Sequence, residues 1–376
     1  MMIKFGFRES LLYPSLFVLF LAIRRIFKYI LEILGIKLSY FLVLTLFISE
    51  IIIGSIYLFI RCKKNNFHIT SEFMGIPLFT KDKYLKRPDS NFKVIILIIF
   101  AAYFEIVGSI SRRYLSNDSS KELYDEYHAR YRSSEIIIAS VICLFTLKIK
   151  IYWHQTFSLI VILICLVVIF ITELICRVEE LSYCVIILIS STCRVFLDVI
   201  EKYLFEIDFV DIYKITILEG FIDAIFNSSL FFFDKPRDEL INFIDYKSQR
   251  ESIFWMAIVF IAIYGILSAF KDINRRFTIK LYSPMTRALA ESILDPFFII
   301  YGYLKSSDQD QKIPKLISFI ITLFCSFIMV FCSCIYNEVF VLYCFGLEKN
   351  THLYILNTNM NEDKDEGKRN LSEDDI

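Results

Sequence analysis

The sequence predicts an all-α polytopic membrane protein with about ten transmembrane helices. Apolar residues fill 56% of its 376 positions and charged residues only 22%. Mean hydropathy is +0.55, so too little polar surface exists to clothe a soluble domain of this length. Several uncharged runs approach the about 20 residues that a helix needs to cross a hydrocarbon core, and short polar joints separate them.

The spans follow in chain order. Span one, Leu11 to Leu34, carries Arg24, Arg25, Lys28 and Glu32. Span two, Leu38 to Ile60, holds only Glu50, and span three, Val94 to Ile110, holds only Glu105. Span four, Ile136 to Leu147, is short and extends back through Glu135. Span five, Gln155 to Thr172, is uncharged. Span six, Leu181 to Ile200, holds Arg194 and Asp198, and span seven, Ile212 to Phe233, holds Lys214, Glu219 and Asp223. Span eight, Ser252 to Phe270, is uncharged and bounded by Glu251 and Lys271. Span nine, Leu281 to Leu304, holds Arg287, Glu291 and Asp295, and span ten, Leu316 to Asn337, has no charge.

Two connections are long. Arg61 to Phe92 is basic, and Ser111 to Ser134 mixes both signs. With both ends in the cytosol, Arg61 to Phe92 and the joint bearing Lys271, Arg275, Arg276 and Lys280 are cytosolic, as the positive-inside rule asks. The second joint is then expected to face lipid headgroups. Asn117-Asp118-Ser119 would lie on the opposite side as a glycosylation acceptor, whereas Asn227-Ser228-Ser229 falls inside a span and is discounted. Leu11 to Ile23 leads into Arg24, Arg25 and Lys28, not into a small-residue cleavage site, so no cleavable signal is expected. The tail beyond Asn361 is polar, charged and expected to be disordered.

Composition narrows the function. The 41 basic and 41 acidic residues cancel, so no basic field draws nucleic acid. Most of the ten cysteines sit in apolar runs as small hydrophobes, and no CxxC or zinc-like spacing occurs, so no metal or cofactor is expected. His68, His128, His154 and His352 fall in joints or at span edges, and no HExxH, GxSxG or Walker motif is present. A catalytic residue is therefore not expected.

Charges at bilayer depth cost roughly 2.5–3.5 kcal/mol each on insertion scales. Here they recur at i and i+4, which puts them on one helix face. Arg24, Lys28 and Glu32 form a stripe on span one, and Arg194 and Asp198 another on span six. Glu219 and Asp223 share a face of span seven, and Arg287, Glu291 and Asp295 share one on span nine. Two readings stand: the stripes line a solute pathway, or Arg194–Asp198 and Arg287–Glu291 are structural pairs. Glu105, Glu135, Glu219 and Asp223 have no basic partner on their own helix, so they are candidates for proton coupling. Glu135 alternatively marks a wet helix end. Arg24, Arg25 and Arg287 are candidates for an anionic solute, with headgroup contact the alternative for Arg24 and Arg25. Pro284 and Pro296 flank the span-nine stripe and predict a kink, or for Pro284 a helix start.

The chain also repeats. Glu135-Ile136-Ile137-Ile138, a polar joint at Lys148 and Lys150, and a long apolar helix ending near Glu173 parallel a second series. That series runs from Glu291-Ser292-Ile293-Leu294 through a longer joint to a helix ending near Glu338. This divides the chain into a cytosolic N-terminus (1–10), two five-helix repeats (11–176 and 181–342) and a tail (343–376). Five spans is odd, so the repeats are inverted relative to each other.

The ten-span plan, the short fourth helix leading through Leu147-Lys148-Ile149-Lys150 into a long fifth, and the segment Arg194-Val195-Phe196-Leu197-Asp198-Val199-Ile200-Glu201-Lys202-Tyr203-Leu204 together resemble the drug/metabolite transporter superfamily. The EamA-like and nucleotide-sugar-transporter-like branch is the nearest likeness, with Glu219-Gly220 matching an acidic-Gly pair in its seventh span. The resemblance covers roughly residues 10 to 345. It implies secondary-active transport of a small polar or anionic solute by alternating access, in a Golgi, ER or other endomembrane. The bases of span one depart from the pattern, and no substrate-defining motif is present. Expected partners are the bilayer and a small-molecule solute, with homodimerisation open. The alternatives are a non-transporting scaffold or receptor and, further off, an intramembrane enzyme.

Overall fold

The computed structural model describes residues 3–5, 12–33, 39–64, 91–117, 129–148, 151–176, 181–206, 210–249, 251–305, 312–342 and 351. Most of the Arg61–Phe92 connection, the middle of the Ser111–Ser134 connection, the joint at Ser306 to Gln311 and the tail lie outside the described residues, as do His68, His128 and His352.

Apolar runs become helices because a backbone in lipid must satisfy its own hydrogen bonds. The helices are α1 (Leu12–Ile33), α2 (Ser39–Lys64), α3 (Asn91–Asn117), α4 (Ser134–Thr146), α5 (Trp153–Cys176), α6 (Leu181–Glu206), α7 (Ile212–Ser229), α8 (Asp234–Gln249), α9 (Glu251–Leu281), α10 (Pro284–Ser292), α11 (Asp295–Lys305) and α12 (Lys312–Tyr336). Four stretches among the described residues are long and apolar enough to cross a membrane: Phe41–Ile60, Trp153–Ile175, Phe254–Leu281 and Leu316–Tyr336. The chain is an all-helical membrane protein, apart from one short ribbon.

Burial is inverted relative to a soluble protein. Phe221 and Ile225 point outward on α7 while Glu219 and Asp223 are buried on its other face. Likewise Ile95, Ile99 and Phe100 are exposed on α3, and Val185 and Ile189 on α6, where Asp198 and Glu201 are buried. An apolar exterior around charged buried residues is stable only where the surrounding medium is itself apolar.

The packing pairs are definite. α1 runs along α9, α3 along α6, α5 along α12, and α2 along both α7 and α9. α4 lies against α6 and α10, α3 also meets α7, α1 also meets α10, and α6 meets α9. Glycines let α2 approach its neighbours closely. A methyl group at Gly54 would stand 2.9 Å from Ile217 on α7, and one at Gly220 would stand 3.3 Å from the Phe47 carbonyl on α2. A methyl at Gly265 on α9 would stand 2.4 Å from Ser49 Oγ and 3.1 Å from the Thr45 carbonyl. Small residues at such crossings are how helices gain contact without a hydrophobic driving force between them.

Three features depart from the sequence reading. First, span eight does not end at Phe270. α9 continues to Leu281 and is about 46 Å long at the usual rise. The stretch read as a cytosolic, headgroup-facing joint is helix, and Asp272, Arg275 and Arg276 are buried in it. Second, the polar joint before span eight is helical. α8 buries Phe243 against Leu31, Leu42 and Ala257, exposes Ile241 and Ile244, and its Glu239 accepts a hydrogen bond from the Phe41 amide at the start of α2 (3.4 Å). Third, β1 (Ile3–Phe5) pairs antiparallel with β2 (Phe340–Leu342), Ile3 opposite Leu342. That ribbon brings the residues before α1 and after α12 together.

Span nine is broken. Ser283 caps α10 by accepting from the Thr286 amide (3.1 Å), with Pro284 in its first turn. Here proline's fixed φ favours a helix start. The helix stops at Ser292, turns through Ile293 and Leu294, and resumes as α11 at Asp295 and Pro296. Span four shows the same plan: a helical turn over 129–131, a turn at Arg132 and Ser133, then α4.

Gly265→Val should crowd the α2–α9 crossing and lower stability by about 1–3 kcal/mol, read as a fall in the melting midpoint in detergent. Gly108→Ala, whose methyl meets nothing nearer than 3.7 Å, should stay within about 0.5 kcal/mol. Equal melting of the two variants would rule out the close approach.

Candidate functional site

The buried charges form one chain of alternating sign. It starts at the two helix breaks. Arg132, in the turn before α4, lies 2.7 Å from Asp295 at the start of α11, though without hydrogen-bond alignment. Its Nη1 donates to the Glu291 carbonyl (3.1 Å), which accepts only a long bond from the Leu294 amide (3.4 Å) in the turn where α10 ends. Arg287 on α10 donates in the reverse direction to Glu135, in the first turn of α4 (2.5 Å). Each break thus places a base against the acid that opens the other half-helix.

Asp198 carries the chain onward. It accepts from Arg287 Nη2 through one oxygen and from Arg275 Nη1 through the other (2.6 Å). Arg275 then grips Glu201 with two nitrogens, Nη1 to Oε2 at 2.9 Å and Nη2 to Oε1 at 2.7 Å. This is the bidentate match that a planar guanidinium makes with a carboxylate. Arg276 donates to Glu201 (2.9 Å), to the Thr216 hydroxyl (3.0 Å) and to Glu219 (2.7 Å). Arg276, Glu201 and Glu219 are all at 0% exposure. Arg194 donates to both oxygens of Glu291 (3.0 and 2.9 Å), and its side chain is 19% exposed.

The structure therefore brings together Arg194, Asp198, Glu219, Arg287, Glu291, Asp295 and Glu135, but not in the same-helix pairs that spacing suggests. Arg194 reaches across to Glu291 on α10 instead of bonding Asp198 on its own helix. Asp198 bonds two bases on other helices. Arg287 does keep Glu291 (3.1 Å), alongside its cross-helix partners. Bonds between helices prevail because each guanidinium has several donors in a fixed fork and can bridge three elements at once. Glu135 is not a wet helix end: it is fully buried against Arg287.

Asp223 and Glu105 stand beyond the end of the chain. Asp223 is fully buried, with neither oxygen hydrogen-bonded, and Glu105 is half-buried. Of the span-one bases, Arg24 sits over the Tyr264 ring (5.7 Å) and Arg25 over the Phe298 ring (3.7 Å). Cation–π contact is a common solution for a guanidinium near lipid. Asn227 is buried and donates its amide to the Asp223 carbonyl (2.8 Å), so the folded chain does not offer it for glycosylation. The Asn117 sequon extends outside the described residues.

Sequence reasoning missed Arg132, Glu201, Arg275 and Arg276, and noted Glu50 only as a lone charge. A signal existed for most of them. Glu201 continues the Arg194–Asp198 face by three residues, and Arg275 and Arg276 follow Asp272 at i+3 and i+4. Extending the helical period past the last apolar residue would have exposed both stripes. A second buried group lies apart from the chain: Glu173 accepts from Arg130 (2.7 Å) and from the Tyr131 hydroxyl, and ties the segment before α4 to α5. Among the described residues no three histidine, cysteine or acidic side chains converge to hold a metal ion.

Removing one partner of a buried pair strands the other, at about 3–5 kcal/mol. Arg287→Gln should lose that much in chemical unfolding in micelles. Combining it with Glu135→Gln should recover at least about 1 kcal/mol, whereas strictly additive losses would show that the two are not coupled.

No family model matches the chain. No curated protein matches it significantly.

Proposed function

We propose that the protein is a secondary-active transporter of a small polar solute, built from two inverted five-helix repeats that rock about the buried charge chain. In this reading spans one to seven are α1 to α7, span eight is α9, span nine is α10 with α11, and span ten is α12. The observation that carries it is the reciprocal pairing at the two broken helices, Arg132 with Asp295 and Arg287 with Glu135. Broken helices meeting at mid-membrane, their exposed backbone groups lining a polar centre, are a recurrent transporter arrangement.

Packing supports the two-repeat part. Exchanging span n with span n+5 maps the one–eight pair onto six–three, two–eight onto seven–three, and one–nine onto six–four. The two–seven, five–ten and four–nine pairs map onto themselves. Gly54 of span two receives Ile217 of span seven, and Gly220 of span seven receives Ile51 of span two. The helix starts also suggest a different register from the one the sequence comparison used. Glu135 opens α4, whereas Glu291 closes α10; the acid that opens the counterpart half-helix is Asp295. The β1–β2 ribbon supports an even number of crossings, because it brings both ends to one face. The resemblance to the drug/metabolite transporters points to the same plan.

The solute meets guanidiniums that are already occupied by carboxylates. Arg194 is the most exposed base of the chain, and an anionic group on the solute would compete there with Glu291. Release of Glu291 would in turn loosen Arg287 and the latch to α4. A network that only fastens helices would also hold each base against carboxylates, which is what favours the scaffold reading.

The test is counterflow in liposomes, with a library of nucleotide sugars, phosphorylated sugars, nucleosides and amino acids. One class should exchange. In Arg132→Gln/Asp295→Asn its exchange rate should shift about tenfold, equivalent to about 1.4 kcal/mol in a barrier, with little change in solute affinity. If the folded protein exchanges nothing in the library, the scaffold reading replaces this one.

A further inference from the structure

Beyond Arg276 the compensation of charge fails. Glu50 on α2, Glu105 on α3 and Glu219 and Asp223 on α7 act on one another electrostatically. Arg276 on α9 is the base that acts on all three buried members; Arg275 adds to its effect at Glu219, Glu201 on α6 opposes it there, and Asp272 on α9 opposes it at Glu50. Arg276 is already engaged with Glu201, Glu219 and Thr216, and approaches Glu50 only to 3.6 Å. Asp223 is at 0% exposure and Glu50 at 1%. Neither oxygen of Asp223 has a hydrogen-bond partner, Glu50 receives no aligned hydrogen bond from a base and has the Asp272 carboxyl beside it, and one oxygen of Glu219 is also unpartnered.

An ionised carboxylate out of water and without donors costs several kcal/mol. A bound positive charge removes that cost. Among the described residues these side chains do not converge at metal-ligand spacing. A proton makes no such demand, because it needs one oxygen. Glu105, half-buried on α3, gives the pocket a member that reaches toward its edge.

We propose that Asp223 and Glu50 form an exchangeable proton site, entered past Glu105, with Arg276 as its competitor. With Arg276 turned toward Glu201 and Glu219, as here, the pocket holds its proton as a carboxylic acid. A shift of α9 that brings Arg276 onto Glu50 or Asp223 ejects the proton to water and leaves an ion pair. The carboxyl O–H breaks as an O–H bond to the accepting water forms, and no other bond changes. The site couples proton movement to the solute cycle, and only that coupling rests on the transporter reading.

The experiment is infrared titration of the carboxylic acid C=O band of the full-length protein, without solute, between about pH 5 and about pH 9. The wild-type band should fall as pH rises. Asp223→Asn and Glu50→Gln mimic the protonated form and should fold; each should remove part of the titrating amplitude, and the double variant the sum of the two parts. An unchanged titration in a double variant that melts as the wild type does overturns the proposal. So does stabilisation by sodium, potassium or a divalent cation at constant pH, which would put a metal ion in the pocket. A titrating band in a protein that moves no solute upholds the site while the transporter reading falls.

Discussion

The Asp198 carboxylate, held between Arg275 and Arg287, joins what would otherwise be two separate ion clusters. Through Arg287 it reaches both helix breaks, and through Arg275 it reaches Glu201, Arg276 and the acidic face of α7. In a low-dielectric interior a charge is tolerable only beside its opposite and with its hydrogen bonds made. Each helix that contributes a charge is therefore positioned by the need to meet its counterpart. α6 supplies Asp198 and Glu201, and it is α6 that touches α9 across the centre.

The packing around this chain is of two kinds. On α2, glycine contacts and backbone carbonyls bring helices into close approach, which makes the α2–α7 and α2–α9 crossings sensitive to a single added methyl. On the α5–α12 side the contact is between side chains. Ile162, Cys165, Ile169, Cys325, Met329 and Cys332 interdigitate there without a glycine seam. Charge holds the centre, close backbone contact holds one flank, and ordinary apolar packing holds the other. A rocking motion would be resisted least where contacts are side chain on side chain, since rotamers adjust more readily than backbones.

The breaks before α4 and between α10 and α11 link fold to chemistry. A continuous helix would satisfy its carbonyls internally. Ending α10 at Ser292 leaves the Glu291 carbonyl only a long bond from the Leu294 amide (3.4 Å), and Arg132 adds a second (3.1 Å). The cost of interrupting a membrane helix is offset by a cross-helix ion pair and a charged hydrogen bond, and the same exchange recurs in reverse through Arg287 and Glu135. The result is a polar centre that is fixed in place yet composed of interactions that have alternatives.

Much of this was legible in the chain. Hydrophobic runs placed nearly every helix core, because in a membrane apolar length and helical backbone satisfaction are the same requirement. The period of the charges showed correctly that Glu219 and Asp223, and Arg287 and Glu291, share faces. What sequence alone did not determine was partnership. Arg194 with Asp198 is an apt pair by spacing, yet Arg194 bonds Glu291, because a neighbouring helix presents a carboxylate to its fork. Nor did hydropathy locate the ends of α6 and α9. The charged end of α9 read as a joint and that of α6 lay past the expected span, but Glu201 and Arg275 neutralise each other only when the two helices stand side by side. Local spacing determines which residues share a face; only the tertiary structure decides which face each one meets, and with it whether a charge near the membrane edge is solvated or buried.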